Sequence, residues 1–154
     1  MDERGGETTP PGASSHGEID PWLALTVRLG DTTTREELLR EVLACSPALV
    51  GMEHCAVALY EPRADALLVH TLDAKEEALQ RNAQWVGEGV LGLVFESGQP
   101  VFSQAPASRA WFDDQLDGLK GARPERLACL PIHGGREREG CLLMHGAPTA
   151  ECWQ

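Results

Sequence analysis

Two pairs of β-rich runs constrain this chain more than any other feature. CAVALYE (55–61) and LLVHTL (67–72) are joined by little more than PRADA, and LACLPIH (127–133) and GCLLMHG (140–146) by the polar turn GGRERE. Connections this short join strands that run antiparallel, because a parallel pair needs a crossover of a dozen or more residues. The runs are apolar nearly throughout, which predicts cover on both faces of the sheet they form. At 154 residues the chain is the size of one domain with a real core.

Helices are signalled before the first pair. Asp20-Pro21 is a cap followed by a proline at the first helical position, Trp22, Leu25 and Leu29 share a face, and Gly30 stops the run. Thr34 to Glu37 is a capping box. In the helix that follows, Leu38, Val42, Cys45 and Leu49 recur at helical spacing, Leu39 and Leu43 widen the stripe, and Pro47 kinks the last turn. Residues 73–84, DAKEEALQRNAQ, suit a polar helix or an ordered loop equally, and PASRAWFDDQLDGL (106–119) reads as a short helix whose apolar residues are Trp111, Phe112 and Leu116. Residues 1–18 are rich in Gly, Pro, Ser, Thr and charge, which predicts a disordered tail.

Between the strand pairs lies VGEGVLGLVFESGQPV (86–101), in which Gly87, Gly89 and Gly92 spell G-x-G-x-x-G. A dinucleotide fingerprint needs a strand before it and a parallel β-α-β unit around it. The preceding EEALQRNAQW is helical or looped, and the strands sit in hairpins, so the nucleotide reading fails on context. The glycines instead predict a turn at 87–89, a helix over 90–97 closed by Gly98 as a left-handed cap, and close packing of Gly92 against the sheet.

The net charge of −11 disfavours nucleic acid and anionic membrane surfaces as partners. No run reaches the ~20 apolar residues of a membrane span, and no secretion signal is present, which points to the cytoplasm. Five cysteines without a C-x-x-C pair suggest small buried hydrophobes, not a disulfide framework or zinc site. His70, His133 and His145 have no spacing that suggests a metal or haem, and are read as core or edge residues.

Taken together, V-G-E-G-V-L-G-L-V-F-E-S-G-Q-P-V (86–101), L-A-C-L-P-I-H (127–133) and E-G-C-L-L-M-H-G (139–146) resemble a GAF domain, and the likeness extends over most of residues 34–147. The resemblance implies an α+β fold similar to PAS domains. A central antiparallel sheet of five or six strands would carry the N-terminal helices on one face and short helices and loops over a small-molecule pocket on the other. It divides the chain into a tail (1–18), a GAF-like domain (19–148) and a C-terminal tail or truncation point (149–154), with an output domain expected beyond Gln154. It also implies a non-enzymatic sensory or regulatory module of a bacterial signalling or transcription-regulatory protein. The expected partners are an unknown metabolite, a second copy through the helix bearing Trp22 and Leu25, and an output domain or partner protein; no cofactor, metal or catalytic residue is expected. Strand alternation and the family layout suggest Leu68, His70, Trp85, Val90, Phe102, Trp111, Phe112, Cys129 and Pro131 as pocket residues. Trp111 and Phe112 suit a lid over an apolar or planar ligand, and core packing accounts for them as well. The alternatives are a purely structural interaction module and an enzyme similar to free methionine-R-sulfoxide reductase, with Cys129 and Cys141 on neighbouring strands. The bilin-binding and cyclic-nucleotide-binding signatures of the family are not matched.

Overall fold

The structure, a computed structural model, describes residues 20–73, 75, 78–119 and 123–147; the expected tail at 1–18 and the segment 149–154 lie outside them. The N-terminal signals act as written. The Asp20 carboxylate accepts the Trp22 N–H at 2.9 Å and Pro21 opens α1 (Pro21–Gly30). Thr34 and Glu37 exchange side-chain and backbone hydrogen bonds of 3.2 and 3.1 Å at the start of α2 (Arg35–Leu49). Pro47 stays inside α2, where its carbonyl accepts the Met52 N–H at 2.8 Å. The buried stripe of α2 is Leu39, Leu43 and Pro47, while Leu38 is exposed, so the helix is rotated toward what the sequence marked as the flank of its apolar face.

The sheet contains β1 (His54–Glu61), β2 (Ala66–Leu72), β3 (Leu79–Trp85), β4 (Val101–Ser103), β5 (Arg126–Gly134) and β6 (Glu137–Gly146) in the order β3-β2-β1-β6-β5-β4. Every pairing is antiparallel, which confirms the α+β architecture and leaves no parallel crevice for a dinucleotide. Within the segment that sequence left between helix and loop, residues from Leu79 onward form strand β3, pairing from Leu72 with Leu79 to Ala66 with Trp85. As an edge strand with Gln84 as its only buried residue, it has no need of apolar alternation, and LQRNAQW therefore carries no strand signal.

Two cores flank the sheet. On one face α2 covers Cys55, Val57, Ala128 and Met144; on the other α3 (Gly89–Ser97) covers Ala56, Ala58, Cys129, Cys141 and Leu143. The alternation of these residues along β1, β5 and β6 explains why the central strands are apolar throughout. α1 lies on α2 with no buried residue of its own, tied by an Arg28–Glu41 ion pair of 2.9 Å.

The glycine run forms the expected turn, with φ of 89° at Gly87 and 60° at Gly89, then α3, then the left-handed cap at Gly98. Gly92 departs from expectation. A Cβ there would stand 2.6 Å from the Gly87 backbone nitrogen, so its role is to let α3 lie against its own lead-in turn, not against the sheet.

The helix expected over 106–119 is not formed. A 3-10 turn, Pro106–Ser108, is followed by loops in which the Asp113 carboxylate accepts the N–H groups of Gln115 and Leu116 at 2.8 and 3.2 Å. Local carboxylate acceptors compete with the helical ladder, and Gly118 follows the one turn they support.

Candidate functional site

The loop 113–119 is held to the rest of the domain by two buried side chains. Glu88, at the N-cap of α3, makes no capping hydrogen bond. The acceptor comes from 27 residues away instead: Asp117, fully buried, takes the Val90 N–H on Oδ1 and the Asp113 N–H on Oδ2, both at 2.8 Å. Helix N-termini present free N–H groups and a partial positive charge, which favour an anion. The G-x-G turn thus does bring a helix end to an anion, and that anion is the chain's own carboxylate. Gly89 is required for this approach, since a Cβ there would fall 2.4 Å from Asp117 Oδ1. Burial pushes the Asp117 carboxyl up from its ordinary range, while the hydrogen bonds from Asp113 and Val90 pull it down.

Two residues beyond Asp117, the Leu119 N–H donates to His145 Nε2 at 2.8 Å. An accepting Nε2 places the imidazole proton on Nδ1, which has no partner among the described residues; the Nδ1 of its cross-strand neighbour His54 has none either. Burial, and second the proximity of His54, push His145 down to about 4. His145 is neutral above that range and serves as an acceptor.

The anchored loop forms one wall of an open groove of about 600 Å³ on the α3 side of the sheet. The opposite wall is the outer part of the sheet, with Gln80, Asn82 and Gln84 from β3 and Val69 and Thr71 from β2; Gln115, Leu116 and Leu119 come from the loop. Gln84 spends its amide N–H on the Glu88 carbonyl at 2.5 Å. A second groove, about 290 Å³ and mostly apolar, lies on the α2 side beneath Val50 and Met52, with Phe102, Leu130 and Met144 across from them.

The nine residues suggested by sequence do not meet in one place. Val90 and Cys129 are closed into the core under α3, with Trp111 and Phe112 half-buried against the same cluster. Pro131, half-buried, pairs with Cys141 on β6. Leu68 and His70 lie on the opposite face, beside the start of α2, where His70 Nδ1 donates to the Val57 carbonyl at 3.2 Å. Phe102 also turns to the α2 side, exposed, and Trp85 stands exposed on the edge strand. The separation follows from strand alternation, which sets even and odd positions of β2 on different faces. Sequence reading missed Asp117, His145 as an anchor, and the amides of β3. A helix entered through G-x-G without a Ser, Thr, Asp or Asn cap is the signal that a distant acceptor has to exist.

Among the described residues no group of three or more His, Cys, Asp or Glu side chains is arranged to hold a metal, and no helix is long and apolar enough to cross a membrane. Burial pushes Cys55 up to about 12, and Cys129 is pushed up first by its hydrogen bond with Cys141 and then by burial. Cys141 is fully buried, with its sulfur 3.5 Å from the Leu91 carbonyl.

The family model described as "GAF domain" matches residues 32–150. Among solved structures, the GAF domain of a phosphoenolpyruvate-protein phosphotransferase from Coxiella burnetii superposes with a TM-score of 0.69 at 16% identity, covering 82% of this chain and 75% of that one. The GAF domain of A. aeolicus nlh2, solved in an inactive state, gives 0.66 at 24% identity, covering 85% and 80%. Free methionine-R-sulfoxide reductase from Neisseria meningitidis, solved with its substrate, gives 0.61 at 15% identity, covering 82% and 70%. At these identities the structural likenesses establish the fold. No curated protein sequence matches the chain.

Proposed function

The chain belongs to the GAF domain family, a family of sensory and regulatory domains, and on that premise we propose that it is a non-enzymatic cytoplasmic module which binds a small molecule in the groove between β2, β3 and the loop 113–119. Occupancy would bias the loop and thereby an attached output in a bacterial signalling or transcription-regulatory protein. The observation that carries this reading is the construction of the groove. One wall is sheet; the other is a loop that Asp117 fastens to α3 and, two residues on, His145 fastens to β6, elements that contribute to the core. A ligand touching that wall has a direct mechanical connection to the centre of the domain.

The test is a thermal-shift screen of a metabolite panel against the wild type and Leu116→Trp, whose larger side chain fills the groove. A ligand in millimolar excess over a micromolar Kd raises stability by ~4 kcal/mol through mass action, and the shift is expected to vanish in L116W. A binder whose shift persists in L116W sits elsewhere and overturns the assignment.

Methionine-sulfoxide reduction is disfavoured by the thiols. Such chemistry needs a thiolate that is accessible and of low pKa, whereas Cys129 and Cys141 are fully buried and the Cys129 thiol is pushed up. Turnover of free methionine sulfoxide that disappears in Cys129→Ser would reverse this ranking.

We also propose that the domain pairs with a second copy through α1. Trp22, Leu23 and Val27 are 56–57% exposed on one short helix, and apolar side chains clustered this way favour association. Light scattering is expected to show a dimer for the wild type and a monomer for Leu23→Glu/Val27→Glu; a monomeric wild type at high micromolar concentration removes the proposal.

A further inference from the structure

The lining of the groove specifies the charge class of what it takes. Gln80 and Asn82 from β3 and Gln115 from the loop present carboxamides to one cavity, and none of these three side-chain amides has a hydrogen bond among the described residues. Thr71 adds a hydroxyl and Asp73 a carboxylate, and no Lys or Arg side chain is among the described lining residues. Arg81, the cation of β3, lines a separate groove on the opposite face, beside Arg35, Glu36 and Leu39 of α2. The chain as a whole carries −11. An anion entering here would lose water without meeting a positive charge, and its approach would be opposed by the field of the protein. A carboxamide, by contrast, offers one donor and one acceptor side by side, which matches the paired donor and acceptor on the edge of a planar heterocycle.

We propose that the groove binds an uncharged, planar, hydrogen-bonding molecule of the nucleobase or nucleoside class, and discriminates against its phosphorylated forms. This rests on the reading of the groove as the ligand site. The amides of Gln80, Asn82 and Gln115 read the heterocycle edge, and Leu116 and Leu119 cover its face.

The experiment is calorimetry of the full chain with the four common ribonucleosides and free adenine and guanine, each nucleoside paired with its 5′-monophosphate. At least one uncharged probe is expected to bind, with its monophosphate weaker by tenfold or more. Asn82→Leu, which keeps the side-chain size and removes the amide on an exposed strand, is expected to weaken the uncharged probe about tenfold, the size of one lost hydrogen bond. Asn82→Lys is expected to narrow or invert the preference over the monophosphate. A monophosphate that binds the wild type as well as its nucleoside overturns the charge argument, as does an absence of binding by every uncharged probe. Leu116→Trp separates the two levels. If an anionic metabolite binds the wild type and is lost in L116W, the groove is the ligand site and only the ligand class is wrong. If no probe or metabolite binds in a way that L116W abolishes, the groove itself is a solvated strand edge.

Discussion

Asp117→Ala is expected to cost the domain about 3–4 kcal/mol, a fall in Tm on the order of 10–15 °C, measured by urea and thermal unfolding. The substitution strands two N–H groups at once. Val90 loses the acceptor at the start of α3, where Glu88 supplies none, and Asp113 loses the bond that closes the loop on itself. A small void beside Gly89 adds to the loss. Asp117→Asn is expected to fall between wild type and alanine, because its amide oxygen can accept one N–H while its amide nitrogen faces the other. The loop wall should loosen before the sheet does, so hydrogen exchange in the Ala variant is expected to accelerate at Val90 and at 113–119 ahead of β1 and β6. A variant with wild-type stability would mean that the carboxylate is not the cap of α3.

The second large effect is pH-dependent. His145 accepts the Leu119 N–H only while neutral, and burial pushes it down to about 4 from an ordinary 6.5. For a base whose folded pKa is depressed, the stabilising contribution is fully present above the unfolded pKa and is lost as pH falls through the folded one. Stability should therefore decline between pH 6.5 and 4, by ~3 kcal/mol from this group when the descent is complete. Asp117 acts in the opposite direction. A carboxyl whose folded pKa is raised adds stability as pH falls through that value toward 3.8, so the two anchors of the loop partly offset each other in acid. His145→Gln isolates the histidine, because a glutamine oxygen can accept the Leu119 N–H and does not titrate. The stability gap between wild type and H145Q, measured by urea unfolding at pH 7.5, 5.5 and 4.5, is expected to shift against the wild type as pH falls. A constant gap would show that His145 remains neutral without consequence for folding.

The family and its sheet were legible in the sequence because they rest on local physics. Asp20-Pro21 and the Thr34–Glu37 box start their helices through contacts within four residues, and short polar turns force β1–β2 and β5–β6 to be antiparallel. The left-handed residues at Gly87, Gly89 and Gly98 follow from the freedom of glycine alone. Edge strand β3 was not legible, since a strand with one neighbour and one buried residue leaves no periodic mark. Nor was the fate of 106–119, whose composition suits a helix until Asp113 and Asp117 find other amides to bind.

The candidate site divides along the same line. Sequence alone determined that Gly87 to Ser97 is a glycine turn feeding a short helix in an antiparallel protein, and hence that no dinucleotide lies across it, because those statements depend on neighbours in the chain. Only the tertiary structure decided that the helix end is occupied by a carboxylate 27 residues away, that His145 fastens the same loop, and that three amides with no local signature face one groove. Each of these joins residues far apart in sequence, and their energies arise from burial and from hydrogen bonds that exist only once the two faces of the sheet have been covered.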